Sequence, residues 1–342
     1  MRPATALLLA TLASIPAYGR DLSAFGVLRV DLPQPPLEIA APGRWSFDTS
    51  LGYQNTWSMS PNVRDYFERR PADRRLDNAD IAVISSLPGE KFLADLELGV
   101  MDFSVRRQFD AHWSARGTVG VIGYTGGFLD SAIEGYHRAL GFNEYLRNAV
   151  PRNEFTVLAG LKETNTLLRD PPSSGFLDPE IGVRYALHPR PEPWNVVLDG
   201  VLKIPVGGER AWLSNGGWDV GMQATLQGVS GAHSATASLS AAYSKGGGIV
   251  QTGGYRWSPG FLLGYAYNFD NRTSAFAQGY VYQYPLNGDD TAMDGLRKHK
   301  SQVTLGVRHR AGDSEFSFAI VEAFGAYNGM PDFGVQLSWT LR

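Results

Sequence analysis

The sequence predicts an all-β protein: a closed antiparallel transmembrane β-barrel of about 12 strands, with one helix in a long loop between strands 3 and 4. Three observations lead there. Segments of about ten residues alternate apolar and polar side chains, aromatic residues gather near the ends of those segments, and short connections alternate with long ones along the 342 residues. Period-two alternation gives each strand two faces of opposite character. A barrel with lipid outside and water inside uses both faces and leaves no backbone edge unpaired.

Residues 1–19 read as an export signal, with Arg2, an apolar stretch over 4–15, and small residues around Ala17-Tyr18-Gly19, cut after Gly19. That stretch is too short to span a bilayer as a helix, and no later window approaches the ~20 apolar residues that a membrane helix needs. Residues 20–43 hold Pro33, Pro35, Pro36 and Pro42 and cannot pair in a central strand. They form either a periplasmic lead-in or a plug in the lumen. Residues 44–342 form the barrel.

Within it, Trp45, Phe47, Thr49, Leu51 and Tyr53 alternate with polar or small neighbours, as do Trp113 to Val121 and Ala235 to Tyr243. The predicted strands are 45–57, 91–105, 109–123, 177–187, 194–205, 217–228, 232–243, 259–268, 273–284, 300–310, 314–324 and 332–341. Counting 155–162 as another spanning strand breaks the alternation of short and long connections. Omitting it restores the order, places both chain ends in the periplasm, and gives the even number that closure requires. Residues 124–176 are the long excursion. A helix is expected within 129–150, started by Asp130, with Ile133, Tyr136, Leu140 and Phe142 as its apolar face and Pro151 as its stop.

Composition narrows the chemistry. The net charge of −3 argues against nucleic acid as a partner, and the absence of cysteine excludes disulfides and thiolate catalysis. A mean hydropathy of −0.19 suits a wall with one wet face. Strand charges Asp48, Asp95, Glu97, Asp199 and Lys203 are expected to face the lumen. A basic side chain at mid-bilayer on the lipid face costs on the order of 2–4 kcal/mol. An interior carrying both signs is either a wet pore or a barrel closed by salt bridges.

Asp130, Glu134 and His137 share one helical face by spacing, and Arg138, Arg147 and Arg152 follow. Carboxylate–guanidinium pairs are directional and suit docking of that helix, so Asp130, Glu134, His137, Arg147 and Arg152 are the candidate ligand or gating residues. Glu134-x-x-His137 is half of a di-iron motif, but no second half follows, so no metal or other cofactor is assigned. Ser131 lies near His137, yet there is no G-x-S-x-G elbow, so no catalytic residue is assigned and the chain is not read as an enzyme. Arg64, Arg69, Arg70, Arg74 and Arg75 fall in the first external loop. They either grip lipopolysaccharide phosphates or form a solvated mixed-charge surface.

The run G-G-F-L-D-S-A-I-E-G-Y-H-R-A-L-G-F over 126–142 and V-P-R-N-E-F over 150–155 resembles the outer-membrane family catalogued as domain of unknown function 3187. K-I-P-V-G at 203–207 and N-G-G-W-D at 215–219 are similar to motifs of that family and of the related barrels tied to phenol meta-pathway degradation. V-E-A-F at 321–324 and M-P-D-F-G-V at 330–335 also match, with Ala323 standing where an acidic residue is expected. The resemblance implies an outer-membrane barrel serving as a channel or passive uptake route for small, apolar or aromatic molecules. The helix-bearing loop would fold over or into the lumen as a gate. The alternatives are a lipid- or substrate-modifying enzyme using His137 and a sealed structural or docking barrel. Asp332 to Trp339 resembles the terminal signal read by the barrel-assembly machinery, although Leu341-Arg342 follow it. Expected partners are that machinery, outer-membrane lipid, lipopolysaccharide and an unidentified small molecule.

Overall fold

The structure, a computed structural model, describes residues 20–342 except 33–39, 72, 142, 190–192, 207, 250–253, 285 and 325–329. The export signal expected at 1–19 lies outside the described residues. Among those described, twelve antiparallel strands close a barrel: β1 Trp45–Met59, β2 Lys91–Gln108, β3 Trp113–Thr125, β4 Glu180–Ala186, β5 Trp194–Lys203, β6 Asp219–Ser230, β7 His233–Lys245, β8 Tyr255–Asn268, β9 Thr273–Tyr282, β10 Lys300–Ala311, β11 Ser314–Ala323 and β12 Phe333–Leu341. Each pairs with its neighbour in sequence. Pairing of β1 with β12, from Phe47↔Leu341 to Asn55↔Phe333, shuts the ring. Closure leaves no sheet edge to meet hydrocarbon.

The two faces separate as the alternation requires. On β6, Asp219, Gln223, Thr225 and Gln227 are buried toward the lumen, while Val220, Met222 and Leu226 are exposed outside. The same split recurs on the other strands apart from the upper half of β2, with Phe103, Val119, Leu198, Leu239, Leu263, Leu305 and Leu337 among the outward residues. An uninterrupted apolar belt on this scale fits hydrocarbon, not water. Tyr, Trp and His mark both rims: Trp113 packs on Tyr185 at one, and Tyr243 on Trp257 at the other.

The segment at 155–162 does contain a strand, Thr156–Leu161, but it does not cross the wall. It pairs with Lys91–Asp95 at the top of β2 and turns into Thr164–Leu168, extending the wall above β3. Between β3 and β4 the ladder bulges. Thr118 opposes Glu180 and Val121 opposes Phe176, so residues 119–120 face three residues, Leu177, Asp178 and Pro179.

Helices occupy the long connections. α1 (Pro61–Arg69) and α2 (Asn78–Ser86) join β1 to β2 and had no counterpart in the strand reading. The expected helix is α3, Asp130–Leu140, and it ends earlier than Pro151 because Gly141 adopts φ +72°, a left-handed stop that glycine makes without strain. Asp130 does not cap it. Asp130 is already helical, and its carboxylate takes side-chain and backbone donors from elsewhere. The apolar face is also not as expected. Ile133 is buried, but Tyr136 and Leu140 are exposed, and the buried side carries Asp130, Glu134 and His137 instead.

Candidate functional site: the lumen and the loop on its outer wall

Residues 20–32 lie inside the barrel, against its lumenal wall. Arg20 pairs with Asp102 of β2 at 3.1 Å and also donates to the carbonyl of Val27. The chain rises to a turn in which the Gly26 and Val27 amides donate to the Ser23 carbonyl. It then descends, the Val30 amide donating to Asp219 and the Asp31 amide to Glu180, while Arg116 donates to the Asp31 carbonyl. Sequence reasoning did not single out Arg20, Asp31, Asp102, Arg116 or Glu180. Strand parity alone puts the last three on the lumen face, and that was the available signal.

Two apolar clusters surround the plug in the upper lumen. Leu22, Val27 and Leu28 pack with Leu96, Leu98, Val100, Ile122 and Trp212. Phe25 meets Tyr284 edge-on at 5.8 Å, within a cluster that includes Phe92, Leu286 and Leu296. Nearer the short turns the lumen wall is polar, with Arg184–Asp199 at 2.8 Å, Arg308–Glu315 at 3.2 Å and Thr340 donating to Asp48. Between plug and wall remains a cavity of about 60 Å³ bordered by Asp21, Arg29, Asp31, Gln223, Tyr280 and Tyr282.

The K-I-P-V-G and N-G-G-W-D motifs meet in one buried node. Lys203 lies 3.0 Å from Asp178 and 3.3 Å from Asp219 and donates to the Asn215 side chain. Ser214 and the Val206 amide donate to Asp178, while Asn215 and the Lys245 amide donate to Asp219. This node ties the β5–β6 loop to the wall and, through Asp219, to the plug.

Of the five strand charges expected inside, Asp48, Asp199 and Lys203 are lumenal. Asp95 and Glu97 are not. They share β2's outward face with Phe103 and Val105, whereas Leu96, Leu98 and Asp102 point in. The rule that a charge avoids lipid still holds, because the 126–155 segment covers them. Glu97 accepts from the Tyr53 hydroxyl, Asn55 and the amides of Phe128 and Leu129.

The loop residues Asp130, Glu134, His137, Arg147 and Arg152 come together as the spacing suggested, but against the outside of the barrel instead of over or in its lumen. Asp130 takes Asn55 and Arg147, and Arg147 continues to Asp332 at 2.6 Å and lies over the Trp57 ring. Glu134 accepts two N–H donors each from Arg74 and Arg152, with Arg138 at 3.6 Å. Burial alone would raise its carboxyl, but the bonds from Arg152 and Arg74 prevail and hold it at about 2. A carboxylate so engaged has little capacity left for a metal. His137 is buried within electrostatic reach of Glu322 on β11, while Ser131 is exposed, so the two are not brought together.

A family model described as protein of unknown function (DUF3187) matches residues 71–342. No curated protein matches the chain. Among solved structures, the COG4313 outer membrane channel from Pseudomonas putida F1 is similar at TM-score 0.57 and 14% identity, over 90% of this chain and 98% of that one. The NanC porin gives 0.44 at 9% identity over 86% and 99%, and the Ralstonia pickettii toluene transporter TbuX gives 0.40 at 9% over 89% and 90%. The first is a likeness of fold.

Proposed function

The chain belongs to the DUF3187 family, proteins of unknown function, and we propose that this member is an outer-membrane channel through which small molecules, apolar or aromatic ones foremost, pass once residues 20–32 shift. One observation carries the proposal. Among the described residues, a short segment bound to the wall only by noncovalent contacts fills the upper lumen, together with loop side chains such as Trp212, Leu286 and Leu296. A sealed structural barrel has no need of a removable stopper. The apolar upper lumen favours an apolar solute at the long-loop rim, and the polar lower wall releases it to water. Similarity in fold to a structure described as an outer membrane channel agrees with this assignment. We assign conduction and no catalytic step.

Planar-bilayer recording tests it. The full chain should give small or infrequent currents, and deletion of residues 20–32 should give large, steady ones. Asp102→Asn, which loosens Arg20 while leaving the apolar clusters intact, should raise open time. Silence from all three, each verified as folded by gel migration with and without heating, overturns the proposal.

A further inference from the structure

Helix α3 is built inside out. Its buried face carries Asp130, Glu134 and His137 beside the single apolar Ile133, while Phe128 just before the helix and Ala132, Tyr136 and Leu140, four residues apart, form an exposed stripe, with Phe128 at 68%, Tyr136 at 42% and Leu140 at 55% exposure. A helix facing water would show the reverse. Its height explains the inversion. α3 starts beside Asn55, ten residues along β1 from Trp45 at the opposite rim, which at the usual strand rise and tilt is about 25 Å, the height of a barrel's apolar band. From Asn55 it runs across the outer wall toward Glu322 on β11. Phe128 stacks on the outward Tyr53 at 5.2 Å, so the stripe continues the lipid-facing belt.

Cations gather on another side of the helix, around Glu134. Arg74, Arg138 and Arg152 all reach Glu134, and Arg138 also reaches Glu144, so three guanidiniums crowd one buried carboxylate. Arg74 and Arg152 each spend two of five N–H donors on Glu134. All three remain partly exposed, Arg138 most at 57% of its side chain.

We propose that α3 is a membrane-surface helix that binds a phosphorylated lipid of the outer leaflet, its stripe among the acyl chains and Arg74, Arg138 and Arg152 on the headgroup phosphate. Guanidinium forks match phosphate oxygens in pairs, and a helix with an apolar side and a cationic side suits that interface. This depends on the barrel standing in a membrane and not on what the lumen conducts, so the two fail separately.

The test uses full-length protein in phosphatidylcholine nanodiscs. A Tyr136→Trp variant should gain quenching from acyl-brominated phosphatidylcholine beyond that of the unsubstituted protein, and no gain overturns the placement. In native mass spectrometry the protein should retain a bisphosphorylated glycolipid over its dephosphorylated form. Arg138→Gln with Arg152→Gln should weaken that retention about tenfold or more. If that pair unfolds the protein, Arg138→Glu alone makes the same comparison. Equal retention of both glycolipids, or displacement of the phosphorylated one by millimolar inorganic phosphate, overturns the headgroup assignment.

Discussion

Glu134 shows how a single carboxylate can hold a loop. Its folded-state pKa of about 2 lies below the ordinary 4.5, so the stabilisation it gives is fully present above pH 4.5 and is lost as pH falls from there through about 2. Proteolysis of the 126–155 segment should therefore stay slow at pH 7 and 5 and accelerate only in that acidic window. Glu134→Gln, leaving Arg74 and Arg152 without their charge partner, should cost roughly 1–3 kcal/mol of docking and speed cleavage already at pH 7. Asp80 behaves alike. Burial opposes ionisation, but Tyr66 and Arg70 bonds outweigh it and bring its pKa to about 2, so α2 and α3 share one acid limit. Lys203 is the lumenal counterpart. Lys203→Met strands Asp178 and Asp219 together and should destabilise the barrel by roughly 3–5 kcal/mol, read as a lower temperature for loss of folded gel migration.

The placement of α3 depends on a close approach at the glycine that precedes it. Gly127 has φ +81°, and a Cβ there would sit 1.8 Å from the Glu97 carboxyl carbon. Gly127→Ala should undock the segment and raise its cleavage rate, whereas Gly135→Ala, with open space around it, should leave the rate unchanged or lower it. The strands were legible because period two is written into each of them. The side on which α3 docks was not. Spacing puts Asp130, Glu134 and His137 on one face, but the partners of the first two, Asn55 and Arg74, are remote in sequence. The same long-range pairing hid Asp95 and Glu97, because an outward charge is allowed wherever another segment covers the wall. The prolines at 33–36 and 42 left plug and lead-in equally open. The contacts of Arg20 and Val30 with wall strands put 20–32 within the lumen, and neither partner is readable from spacing.

For the whole molecule, the number of strands followed from connection lengths, since antiparallel closure admits an even count and short turns fall on one rim. The alternation also has a practical consequence: a chain without cysteine accepts single-cysteine labels with no background to remove. Spin labels placed in turn from 222 to 227 on β6, in protein reconstituted into lipid vesicles, test the inside–outside assignment directly. Labels at Met222, Ala224 and Leu226 should collide mainly with oxygen dissolved in the bilayer, and those at Gln223, Thr225 and Gln227 mainly with a water-soluble nickel chelate. A profile without a two-residue period, or one with the two sets exchanged, would contradict a barrel with hydrocarbon outside and a polar lumen within.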